Sequence, residues 1–216
     1  MGFLDFFTGD QPPLIKGALD EVCAMLNTGR DMFAAASAHL FDNEILDVDL
    51  TKLEAALDLR EQALRQAVLE HLNIDPKREL VLCLKLFTVV QEAGRIGDLS
   101  CMIGFAAGVA RKPRLGPIVD VLRNLRDGTH QLFDQARDCF VDGDPVRAQN
   151  LQVRQQEIRG GLHECVMRIA ASDLEVSEAV ACSLGAHAVT RVGSHLANIA
   201  NCVVAPFHLV YAQAAH

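Results

Sequence analysis

Gly94-Arg95-Ile96-Gly97-Asp98-Leu99 and Thr190-Arg191-Val192-Gly193-Ser194-His195 are two versions of one pattern, 96 residues apart. Each holds Arg, a β-branched residue and Gly in register. Upstream, Leu40-Phe41-Asp42-Asn43 answers to Phe140-Val141-Asp142-Gly143, and Asp20 and Phe33 answer to Asp120 and Phe133, all at a spacing of 100. About one helical turn, or a slightly longer connection, reconciles the two spacings. A repeat of this length decides the fold, because each copy has to be one supersecondary unit that buries its apolar face against its neighbours.

The stretches between these landmarks read as helices. After a break at Pro12-Pro13, apolar positions recur at helical spacing over residues 14–41, with Leu19, Val22, Leu26, Met32 and Phe33 among them. A second helix covers 49–72, with Asp49 or Thr51 as its cap and Glu54 placed as in a capping box. Asn73-Ile74-Asp75-Pro76 ends it, and a long third helix covers 77–111. Lys112-Pro113-Arg114-Leu115-Gly116-Pro117 is the strongest punctuation in the chain and marks the boundary between copies. Three more helices follow at 118–141, 145–171 and 173–213, with a turn at Asp142-Gly143-Asp144-Pro145 and a kink or end at Pro206. No strand-like alternation interrupts them. The expectation is an all-α protein of two tandem three-helix bundles, a pseudo-twofold pair over residues 14–111 and 115–213, preceded by an extension at 1–13.

Composition agrees and narrows the function classes. Half of the 216 residues are apolar, but only 5% are aromatic and none is Trp. Ala, Leu and Val therefore do the packing, as helix-on-helix contacts prefer. A formal charge of -8 excludes nucleic acid as a direct partner, since phosphates would be repelled over most of the surface. Arg111-Lys112-Pro113-Arg114 is too short to reverse that. The seven Cys are scattered, with no C-x-x-C pair, and read as small buried hydrophobes in a reducing cytosol; thiol chemistry or a soft metal site is the other reading. The opening Met1-Gly2-Phe3-Leu4-Asp5-Phe6-Phe7 lacks a basic n-region, and Phe6 stands where a myristoylation signal wants Ser or Thr. That Phe-rich start is expected to dock on its own bundle or on a partner subunit, with at most peripheral membrane contact.

The third helix carries the candidate chemistry. Stepping by four and three from Leu80 gives Leu84, Phe87, Gln91, Gly94, Asp98, Cys101, Phe105 and Gly108, the spacing of a bundle seam. That places Asp98 on a core-facing stripe, where a carboxylate needs a cation, a hydrogen-bonded partner or water. Arg95, three residues before it, supplies a second reading as an ion pair at a bundle edge. Gly94 and Gly97 serve close helix approach. The same walk in the second copy gives Val176, Val180, Ser183, His187, Thr190, Ser194, Ala197, Asn201 and Val204, with no carboxylate. His187 reads as a hydrogen-bonded core residue or a metal ligand, and His195 lies one step off the seam. Glu54 and Asp58, and separately Asp134, Asp138 and Asp142, lie four residues apart on one helical face. Such pairs can hold one hard cation or simply face solvent. No Glu-x-x-His pair, nucleophile–base arrangement or phosphate-cradling Gly loop is present, so an enzyme is not expected.

At these residues the chain resembles the PhoU family, whose third helices carry an E-R-I-G-D type stretch followed by an N-I-A type stretch. Gly94-Arg95-Ile96-Gly97-Asp98 matches in the first copy. Thr190-Arg191-Val192-Gly193-Ser194 and Ala197-Asn198-Ile199-Ala200 match in the second. The resemblance extends over about residues 14 to 212. It implies a cytoplasmic, non-enzymatic regulator of phosphate uptake and phosphate signalling, a homodimer that acts on phosphate transporter and sensor kinase components. Many members of the family bind iron or other metal ions through E/D-x-x-x-D motifs. In this sequence the resemblance implies a reduced site of Asp98, Glu54 and Asp58 for a divalent or iron ion in the first repeat. The family's acid before Arg95 is Gly94 here, and Glu92 does not replace it, because six residues of helix turn it away from Asp98. Thr190 and Ser194 leave the second repeat without either acid. The alternative expectation is a metal-binding helical bundle with enzymatic activity.

Overall fold

The computed structural model describes residues 13–74 and 79–207, as six helices with no strand among them. They are α1 (Pro13–Phe41), α2 (Leu50–Ile74), α3 (Leu80–Val109), α4 (Pro117–Asp142), α5 (Pro145–Ala170) and α6 (Val176–Val204). The expected helix at 173–213 is described only to Val204, where it ends two residues before Pro206. The Phe-rich start, Pro76 and the chain after Phe207 lie outside the described residues.

Local chemistry explains the boundaries. Asp49 caps α2 by accepting from the Lys52 N–H at 3.1 Å, without the reciprocal reach of Glu54 that a capping box requires. Asp144 caps α5, accepting from the N–H groups of Val146 (2.8 Å) and Arg147 (3.3 Å), with Pro145 in the first turn. Gly143 ends α4 at φ 66°, a left-handed conformation that Gly adopts without steric cost, and its N–H reaches Cys139 O at 2.8 Å.

The helices pack in two equivalent sets. Within each, the first helix contacts the second and third, and the second contacts the third; across the sets α3 meets α6 and α1 meets α4. This pattern is unchanged when α1–α3 and α4–α6 are exchanged, consistent with two three-helix bundles in pseudo-twofold relation. Phe33 and Phe133, equivalent in the sequence repeat, meet each other with ring centroids 5.6 Å apart. Equivalent residues touch in this way only where a symmetry axis passes between them. One continuous apolar cluster joins the sets, including Met25, Phe33, Leu57, Ile96, Leu122, Phe133, Ile158 and Val192. No helix of the described residues is long and apolar enough to cross a membrane.

All seven Cys are free, and five of them are buried. Burial pushes the thiols of Cys139 and Cys182 up to about 11 and that of Cys202 to about 12, so they stay protonated and pack as small hydrophobes.

The periodic walk along α3 misplaced the core. Leu82, Leu86, Val89, Val90, Ala93, Ile96, Ser100 and Ile103 are buried, whereas Gln91 and Phe105 are exposed. Gly94, Gly97 and Gly104 instead face α2, where a Cβ would collide with Glu61, Leu57 and Leu50 respectively. Asp98, on this α2-facing edge, is 42% exposed rather than core-facing. The walk failed because α3 packs against α1, α2 and α6 together, which removes the single-seam period it assumed.

The connection between the sets is fastened at both ends. Glu178, in the first turn of α6, accepts from the N–H groups of Arg111 (2.9 Å) and Lys112 (3.1 Å) through Oε1. Arg114 donates from Nε to Leu40 O (2.7 Å) and from Nη2 to His39 O (2.6 Å), satisfying orphan carbonyls at the end of α1. Asp42 takes ion pairs from Arg123 and Arg126 of α4; burial pushes its carboxyl up, but the two guanidiniums outweigh this and hold it below the usual carboxylate range. Arg114→Ala should therefore lower unfolding stability by about 1.5–3 kcal/mol, the range for hydrogen bonds from a charged donor. Arg114→Lys should recover little, because an ammonium lacks the planar fork that reaches two carbonyls. Urea denaturation of the two variants measures both effects.

Candidate functional site

A polar cleft lies between α2 and α3. Glu54, Asp58 and Glu61 fall at spacings of four and three along α2, so they share one helical face. Gly94, Asp98 and Cys101 share the opposing edge of α3. The cleft encloses about 300 Å³, with Asp58, Glu61, Arg65, Gly94, Arg95 and Asp98 in its lining.

Gly94 is what brings the helices together here. The Glu61 carboxylate occupies the space a side chain at 94 would need. The acid absent from that position is thus supplied by the facing helix. Sequence reading missed Glu61, although its spacing of seven from Glu54 places it on the same face. Burial pushes the Glu61 carboxyl above its ordinary value, Asp58 and Asp98 push it further, and Arg65 and Arg95 oppose the rise.

Of the three expected ligands, Asp98 and Glu54 have partners within the protein. Asp98 pairs with Arg95, Oδ2 to Nη1 at 2.9 Å. Glu61 pairs with Arg65, Oε1 to Nη2 at 2.7 Å. Glu54 acts on Cys101, whose thiol is pushed up to about 12 by burial first and then by the charge and hydrogen bond of Glu54. Cys101 in turn donates to Leu50 O at 3.6 Å. Asp58 is exposed on the cleft rim. Glu54, Asp58 and Asp98 are hard oxygen donors of the type that suits a divalent or iron ion. Yet among the described residues no group of three or more His, Cys, Asp or Glu side chains converges on one point. As arranged, the residues do not fit a metal centre; two guanidiniums supply positive charge to the cleft instead.

The equivalent contact in the second set is closed by amides. Gln155 of α5 donates from Nε2 to Thr190 O (3.0 Å) and to Ser194 Oγ (2.9 Å). Gln152 donates from Nε2 to Ala197 O at 2.7 Å. Gly193 permits this approach, since a Cβ there would collide with Gln155 Oε1. Thr190 and Ser194, at the positions of Gly94 and Asp98, thus became hydrogen-bond partners of a neutral clasp.

Other sequence candidates resolve differently. His187 is exposed, while His195, one step off the expected seam, is buried against Glu92. Glu92 does point away from Asp98, as the helical count requires. Asp134, Asp138 and Asp142 lie on the solvent side of α4, where arginines pair with them. Arg30 and Arg137 pair with Asp134, Arg137 and Arg147 with Asp138, and Arg147 with Asp142.

Fold and cleft together define a six-helix, internally duplicated bundle with one ion-paired cleft and one amide-closed counterpart. No family model and no curated protein matches the chain.

Two measurements test this geometry. Gly193→Ala should cost about 1–3 kcal/mol, because it drives a buried, doubly bonded glutamine from its partners. Gly94→Ala should stay within about 1 kcal/mol of the parent, since Glu61 can swing out and Ala favours the helix. Parallel urea titrations compare the pair. Glu61→Gln should stabilise the fold at neutral pH, because a carboxyl raised in the folded state loses stability as it ionises. That gain should vanish as the pH falls below the ordinary carboxylate value of 4.5, where Glu61 is protonated folded or unfolded. Thermal melts of both proteins at a series of pH values give the comparison.

Proposed function

We propose that the chain is a PhoU-like regulatory protein of the cytoplasm, without catalytic activity, that modulates phosphate transport and phosphate-responsive signalling by docking on partner proteins as a homodimer. The observation that carries this reading is the shared role of the two R-[IV]-G stretches. In both, the glycine faces the second helix of its set with no room for a Cβ: Gly97 against Leu57, Gly193 against Gln155. A motif kept in two copies with one packing role fits the family resemblance better than chance similarity of helical sequences. The intervening arginines, Arg95 and Arg191, are both exposed.

Docking has surface available to it. Leu59 and Leu69 on α2, and Val153 and Met167 on α5, are each more than half exposed. Apolar side chains on equivalent outer helices of the two sets give a duplicated face on which partners can bury area. The cleft supports the regulatory reading over a metal enzyme, because Glu61, Asp98 and Glu54 are engaged by Arg65, Arg95 and Cys101.

The decisive experiment is affinity capture of tagged full-length protein from phosphate-replete and phosphate-starved cells, with identified phosphate transporter or sensor kinase components as the expected yield. A Leu59→Glu/Leu69→Glu/Met167→Glu variant that remains folded by circular dichroism should lose most of that yield. Absence of both components under either condition overturns the reading. So does stoichiometric metal in chelator-free protein that disappears in Asp98→Ala, which would establish the carboxylate-centre alternative.

A further inference from the structure

Where α1 begins and α2 finishes, the two helices leave an apolar groove of about 370 Å³ between them. It is lined by Gly17 and Ala18 of α1 and by Ala63, Leu64, Ala67 and Val68 of α2. The floor is buried, with Ala18 and Leu64 each 5% exposed and Val68 1%. The walls are small residues, and a Cβ added at Gly17 would meet no atom within 4 Å. Glu21, at the edge of the groove, pairs with Arg60 of α2, so its charge is met there.

The repeat provides an internal control. At the spacing of 100 that relates α1 to α4, Gly17, Ala18 and Glu21 answer to Pro117, Ile118 and Val121. Ile118 and Val121 are half-buried and pack against the core cluster. The second set thus carries branched apolar side chains at the positions where the first has Ala and Glu. Apolar surface left facing water in the first set lacks the contacts that Ile118 and Val121 supply in the second. A cavity of about 150 Å³ accepts a benzene ring, so the groove has room for about two aromatic rings.

Such rings stand just upstream in the sequence. Residues 1–12 lie outside the described residues, and Phe3, Leu4, Phe6 and Phe7 are among them. Gly17 lies four residues after Pro13, about 6 Å along the helix. Phe7 lies six residues before Pro13, a reach of about 20 Å when extended, and Gly9-Asp10 supply residues suited to a reversal. Attachment to α1 holds the segment at an effective concentration on the order of mM, which a free apolar peptide does not match. We propose that this groove is the docking site of the chain's own segment from Phe3 to Phe7, with Phe6 and Phe7 as the inserted side chains. Docked, each ring buries about 150–250 Å² and does for the first set what Ile118 and Val121 do for the second. The proposal rests on the groove and the repeat and does not depend on the functional assignment.

Limited chymotrypsin digestion of the full chain, read by intact mass, tests the proposal. Cleavage after Phe6 or Phe7 should be slow in the parent and about ten-fold faster or more in Ala67→Phe, which fills the groove from α2. Cleavage after Phe105, exposed on α3, should not change. Equal rates at Phe6 and Phe7 in the two proteins overturn the proposal. So does protection that disappears on dilution, which would place the segment on a second copy of the chain. Protection that appears only with anionic phospholipid vesicles would place it on a membrane surface and overturns the proposal as well. If Ala67→Phe does not fold, Gly17→Leu fills the groove from α1 and is read in the same way. Leucine favours a helix over glycine, so that variant keeps the fold.

Discussion

The antiparallel packing of α3 on α6 is the contact from which the other placements follow. These are the two most apolar helices by sequence, rich in Ala, Val and Gly, and both are buried on most of their circumference. Small residues also let their neighbours approach, as at Gly185 of α6, where a Cβ would strike Leu40 and the Phe41 ring of α1. Once α3 and α6 lie together, α1 and α4 cover them from one side and meet at Phe33 and Phe133. The second helices, α2 and α5, have only the outer edges left to pack on. That is why Leu59, Leu69, Val153 and Met167 stand exposed on α2 and α5, and why the polar cleft opens along the edge of α2 on α3.

The R-[IV]-G stretch acquires its meaning from this layout. Its glycine lets the second helix pack without room for a Cβ, and its β-branched residue, Ile96 or Val192, is fully buried behind it. Around this fixed point the two copies diverge in how they treat the polar edge. The first keeps carboxylates and balances them with arginines. The second exchanges them for Gln152 and Gln155, which bond to the backbone of α6 and close the gap. A neutral clasp is strong and inert, whereas an ion-paired cleft open to solvent exchanges its partners readily. The asymmetry leaves the first set as the one whose polar edge remains chemically available.

How much of this was legible follows the range of the forces involved. Helix limits were readable because Asp144, Gly143, Pro145 and Pro206 act within one turn of themselves. The duplication was readable because Phe33 and Phe133, or Gly97 and Gly193, face the same packing demand in each copy. Burial on α3 was not, since a helix touched from three directions has no single apolar stripe to mark. The partners of Asp98 were half readable. Arg95 lies three residues away and was foreseen, but Glu61 acts through space from a helix thirty-odd residues earlier. The place of His195 was not legible for the same reason: nothing local to α6 reveals that Glu92 of α3 lies opposite.

The cleft's charge balance sets what it can do. Three acids, Asp58, Glu61 and Asp98, face two arginines, Arg65 and Arg95, leaving a slight negative excess. Burial has raised the Glu61 carboxyl, so that acid carries its charge at a cost which proximity to Arg65 only partly offsets. A cation entering the cleft would have to displace guanidiniums that already hydrogen-bond these oxygens, and its gain is reduced by the bonds it breaks. The ion pairs that such a cation would have to break are therefore what sets the charge balance of the cleft.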